Sequence, residues 1–73
     1  MTGPMNQVRA AGEYLYGPLW QSELARALGV SDRAVRRWVA GDANPPEDIG
    51  PRLRKLIDKR IAQLRVARSA LPK

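Results

Sequence analysis

Apolar residues recur along this chain at intervals of three and four, the spacing that lines one face of an α-helix. Val8, Ala11 and Leu15 mark a first helix, which Pro4 can start and Gly17-Pro18 ends. Leu24, Ala25 and Leu28 mark a shorter second helix, stopped by Gly29. Ser31 suits the N-cap of a third, whose Val35, Trp38 and Val39 point inward. Gly41 stands where a left-handed C-terminal residue belongs, and Asp42-Ala43-Asn44-Pro45-Pro46 reads as a turn. From Gly50-Pro51 a long helix runs without a breaker to about Ser69. Its apolar stripe is Leu53, Leu56, Ile57, Ile61, Leu64 and Leu71. Strand signals are absent: no Phe, no Thr after Thr2 and no period-two alternation. The pattern predicts an all-α chain, a compact bundle of four to five helices, with a helix-turn-helix over 21–41 and a C-terminal helix over about 51–70. Residues 1–4 read as a leader or flexible N-terminus, since Met5 offers a second start, and residues 5–73 read as one domain.

Tight reversal between the second and third helices rests on Gly29, which tolerates positive φ. Val30 plugs the turn, and Ala25 is small where the helices approach. Leu24, Leu28, Val35 and Trp38 supply a shared core. With those residues inward, Arg33, Arg36, Arg37 and Ala40 fall on the opposite face of the third helix at about 100° per residue. Three guanidiniums around a small alanine form a ridge narrow enough for the major groove of DNA. Trp38 reads as core rather than as a base-stacking platform. Trp20, Tyr14 and Tyr16 lie at helix ends, where packing is the commoner use.

Composition sharpens this picture. Thirteen Lys and Arg face seven Asp and Glu in 73 residues, for a net charge of +6. Such an excess favours polyanionic partners. Ten of the cations are Arg, whose planar fork suits phosphates and base edges. The absence of Cys and His removes thiolate zinc sites, disulfides and the commonest general base. No catalytic site, metal site or cofactor site is expected. No apolar run is long enough to span a bilayer, and a cytoplasmic location is expected.

The stretch Gln21, Leu24, Ala25, Leu28, Gly29, Val30, Ser31, Val35 and Trp38, with the trailing Gly41 to Pro46, resembles the helix-turn-helix family of phage repressors and Cro proteins. The resemblance covers about residues 8–50. One position departs from it: Trp20 stands where many members carry a Ser or Thr N-cap, and it can staple the helix to Leu15 or Tyr16 instead. The resemblance implies base-edge contacts from Asp32, Arg33, Arg36 and Arg37. It also implies a phosphate contact from Gln21, which helps orient the reading side chains. Ser31 and Tyr16 are further phosphate candidates. By chemistry, Arg33 and Arg37 are best placed to fork onto guanine O6 and N7, whereas Arg36, at the ridge's edge, suits a phosphate. Three roles are open to Asp32: accepting from a cytosine amino group, pairing with Arg36, or favouring the helix N-terminus.

The long helix has two readings. Either Leu53, Leu56 and Ile57 close the core while Ile61, Leu64 and Leu71 meet a second subunit, or the whole helix folds back on its own domain. The first fits a sequence-specific regulator that reads double-stranded DNA as a homodimer. The basic flank from Arg52 to Lys59 would then lie near the DNA backbone. The alternative is a protein-interaction module of the antitoxin or adaptor type using the same helix. RNA or single-strand binding is disfavoured by the scarcity of exposed aromatics.

Overall fold

The computed structural model describes residues 4–72. The expected leader therefore falls largely outside the described residues, except Pro4, which is the first residue of a helix. In chain order the elements are α1 (Pro4–Tyr16), a 3-10 turn (Gly17–Leu19), α2 (Trp20–Leu28), α3 (Asp32–Ala40) and α4 (Ile49–Ala70). Every regular element among the described residues is helical.

The local reasons for these boundaries are legible. Ser31 is extended, and its Oγ accepts from the Ala34 amide at 3.1 Å, satisfying one orphan N–H at the start of α3. Gly29 stands at φ 74°, a left-handed conformation costly to residues with a Cβ, and this lets the chain reverse in three residues between α2 and α3. Its amide and that of Val30 then bond back to Arg26 and Ala25 carbonyls. Gly41 ends α3 in the same way. Helix α4 opens at Ile49, earlier than expected, with Pro51 in its first turn, where a missing N–H costs nothing.

One hydrophobic cluster joins all four helices: Val8 from α1, Trp20, Leu24, Ala25 and Leu28 from α2, Val35 and Trp38 from α3, and Ile49 and Leu53 from α4. Leu24, Ala25 and Val35 have no exposed surface, so α2 and α3 meet where Ala25 leaves room. Helix α1 packs against both α2 and α4. Burying each large aliphatic side chain here contributes about 1.5–3 kcal/mol against leaving it in water.

Two expectations about this core need correction. Trp20 does not precede α2 as a cap. It is the buried first residue of the helix, the cap position falls to Leu19, and the indole lies over Gly12 of α1. A Cβ built on Gly12 would come within 2.2 Å of Trp20 Cε3. That explains a mid-helix glycine that otherwise costs about 1 kcal/mol relative to alanine. Gly12→Ala is accordingly expected to lower the melting temperature by several degrees. Overpacking of about 1–3 kcal/mol outweighs the propensity gain. A thermal melt followed by circular dichroism checks this, and a raised midpoint would refute the close approach.

The second correction concerns α4. Leu53 is buried and Leu56 half-buried, but Ile57 is 37% exposed, and Ile49 fills the core in its place. The face of α4 turned to the body thus runs through 49, 53 and 56, rotated away from Ile57. All residues from 61 to 72 are exposed. The molecule measures 48 Å on its longest axis against 23 and 20 Å on the others. The far half of α4 does not fold back on its own domain.

Candidate nucleic-acid interface

Burial of Val35 and Trp38 fixes the rotation of α3 about its axis, and the rotation fixes what faces outward. Trp38 is 6% exposed and Val35 fully buried, while Val39 is half-buried beside them. Arg33, Arg36, Arg37 and Ala40 are all exposed, as the wheel requires. Among the described residues, none of these three guanidiniums makes a hydrogen bond or ion pair with the protein. Arg26 on α2 is different: its Nη1 reaches Glu23 Oε1 at 3.1 Å. The three arginines of α3 therefore present their donors to solvent as one cationic ridge, without an acidic partner to offset them.

The other site residues read from the sequence fall as follows. Asp32 is exposed at the first turn of α3, and its Oδ2 accepts from the Ser22 hydroxyl at 3.1 Å. This tie between α2 and α3 is a fourth role, which the sequence does not signal, and no Asp32–Arg36 ion pair forms among the described residues. Ser31 uses an oxygen lone pair for the cap, which leaves its O–H free to donate outward. Gln21 is half-buried in the first turn of α2. Tyr16 is half-buried at the end of α1 with the Arg60 guanidinium 5.3 Å from its ring centroid. Tyr14, by contrast, is 92% exposed.

Two arginines of α4 have a use that the sequence reading missed. Arg52 Nη2 donates to the carbonyl of Leu28, the last residue of α2. Arg60 Nη1 donates to the carbonyl of Leu15 at 2.7 Å, near the end of α1. Each puts a cation at a helix C-terminus, where the dipole favours it and where carbonyls lack intrahelical donors. The basic flank from Arg52 to Lys59 is therefore not uniform. Arg54, Lys55 and Lys59 are exposed, whereas Arg52 is half-buried and turned inward.

Among the described residues, no three acidic side chains gather in a way that could hold a metal ion. No helix is long and apolar enough to cross a membrane, again among the described residues. The arrangement offers donors and positive charge to a rigid, polyanionic surface.

Comparison with known proteins agrees with this geometry. A helix-turn-helix family model matches residues 20–64, more than half of the chain, from the first residue of α2 to well into α4. Searches of curated proteins and of solved structures find no match. The matched segment holds Gly29, the Ser31 cap, the Val35 and Trp38 anchors and all three outward arginines. The chain belongs to the helix-turn-helix family of the Cro and C1 type, a family of DNA-binding regulators that are generally not enzymes.

Proposed function

We propose that this chain is a sequence-specific reader of double-stranded DNA, a small cytoplasmic transcriptional regulator that works as a homodimer, with residues 5–73 as its folded unit. The observation that carries the proposal is the ridge of Arg33, Arg36 and Arg37, exposed and without protein partners on a helix whose opposite face is locked into the core. An α-helix of this width enters the major groove, and a guanidinium there forks onto guanine O6 and N7. Arg33 and Arg37 take that role. Arg36, nearer the flank, takes a backbone phosphate or an adjacent base. Asp32 remains a candidate for a cytosine amino group, although its bond to Ser22 favours a local role. Ser31 and Gln21, at the N-termini of α3 and α2, present donors to phosphates. Tyr16 remains a phosphate candidate whose ring is already engaged by Arg60.

Homodimer formation is supported by the projecting end of α4, where Ile61 is 42%, Leu64 60% and Leu71 69% exposed. Leu71 lies just past the helix, on extended backbone. Pairing this end across a two-fold would present two α3 ridges, and dimeric helix-turn-helix proteins read two half-sites one helical turn or a multiple of it apart. The same exposed side chains would serve a protein-interaction module, and removing the residues after Arg60 separates the two. A dimer of this chain that becomes monomeric supports the first reading; a monomer from the outset supports the second.

Selection from a random duplex pool tests the reading as a whole. The expected product is a pair of related half-sites, inverted about a centre, and a pool that never enriches would overturn specificity. Salt supplies a second check. Neutralising about five or six phosphates gives a slope near −5 in log K against log salt. Affinity then falls about a thousandfold between 50 and 200 mM. A flat response would remove the electrostatic basis of the proposal.

A further inference from the structure

The last four carbonyls of any α-helix lack intrahelical donors. At the end of α2, the Ala25 and Arg26 carbonyls are taken by the amides of Val30 and Gly29. The final carbonyl, that of Leu28, is taken by Arg52 from the first turn of α4, twenty-four residues on. Leu28 immediately precedes the three-residue turn that sets the direction of α3. Arg52 is half-buried, whereas its neighbours Arg54 and Lys55 are exposed. It is thus set apart from the solvated cations of α4, and it is bonded to the backbone next to the turn between α2 and α3.

We propose that Arg52 is a positioning residue for DNA recognition: it fixes the end of α2 and the turn, and through them the angle of the arginine ridge, rather than neutralising a phosphate. The inference rests on the DNA-binding reading above. A charged donor makes a stronger hydrogen bond than a neutral one, and removing it leaves a part-buried carbonyl without a partner. The turn then opens more readily, and the ridge samples orientations that do not fit the groove. The loss falls on specific binding, because base-edge hydrogen bonds tolerate less misalignment than phosphate attraction does.

Two measurements on Arg52→Gln test this. In the free protein, amide hydrogen exchange at Gly29 and Val30 is expected to speed up about tenfold, while Arg54→Gln leaves both amides at wild-type rates. On the selected duplex, at a temperature where circular dichroism shows the variant folded, affinity is expected to fall about tenfold with an unchanged salt slope. A slope shallower by about 0.9 would mean a lost phosphate contact and would overturn the assignment. So would wild-type exchange at both amides, or wild-type affinity. Should Arg52→Gln fail to fold, Arg52→Lys is read in the same assays. It keeps the charge but its shorter side chain does not reach where Nη2 meets the Leu28 carbonyl, so a phosphate role predicts near-wild-type affinity and a positioning role predicts loss at constant slope. If the wild type binds no duplex, the DNA-binding reading fails, and the exchange experiment still decides whether Arg52 holds the turn.

Discussion

An Arg33→Ala, Arg37→Ala double variant is expected to lose specific DNA affinity by between about 30-fold and about 2 × 10⁴-fold while keeping its fold. The range comes from two bidentate guanine contacts at about 1–3 kcal/mol each, with about 1.4 kcal/mol per tenfold. Both side chains are exposed and unpaired among the described residues, so their removal leaves nothing buried and unsatisfied. Surface changes of this kind alter stability by less than about 0.5 kcal/mol. The thermal midpoint should therefore stay close to wild type while gel-shift titration on the selected duplex shows the loss. Binding to unrelated DNA should weaken far less, because attraction to phosphates survives in Arg36 and the exposed cations of α4. Equal losses on specific and unrelated sequences would reassign both arginines to the backbone. Wild-type affinity would remove this face of α3 from the interface.

The second large effect acts on the opposite face of the same helix. Trp38→Ala is expected to cost about 3–5 kcal/mol, the range for deleting a large buried aromatic. A domain of 73 residues has roughly 4–11 kcal/mol in all, at about 0.05–0.15 kcal/mol per residue. The variant should therefore lose between about a quarter and all of its stability, and its melting midpoint should fall by well over ten degrees. The indole is 6% exposed and belongs to the cluster shared by all four helices. Trp38→Phe, which keeps much of the volume, should recover most of the loss. A midpoint within a few degrees of wild type for Trp38→Ala would show that α3 does not depend on this anchor. The ridge would then have no fixed direction.

Much of this was legible because the decisive signals are local. The α2–turn–α3 unit announces itself through Gly29, the Ser31 cap and the left-handed Gly41, each acting within one turn of helix. The outward arginines follow from the period of Val35, Trp38 and Val39 alone. What escaped the sequence was contact between distant segments. Nothing near Trp20 says that its indole will lie over Gly12, although an isolated glycine inside a helical pattern is a recognised sign of close packing. Arg52 and Arg60 looked like solvated cations because a guanidinium on a helix has the same sequence signature whether it meets water or a carbonyl. Their register held a clue. Arg60 lies four residues from both Leu56 and Leu64, and Arg52 lies between Ile49 and Leu56, so both share the apolar side of α4. Ile57 too sits near that stripe, so periodicity alone places it in the core. Contact with α1 chose the 49–53–56 side instead, a choice that no period alone can make.

The most direct test of the account is an NMR titration of the labelled protein with its selected duplex, following backbone amides and arginine side-chain Nε signals. The account predicts the largest shifts at Ser31, Arg33, Arg36 and Arg37, with smaller ones at the start of α2. Shifts concentrated on α1 or on α4 beyond Arg60, with the α3 arginines unmoved, would contradict it.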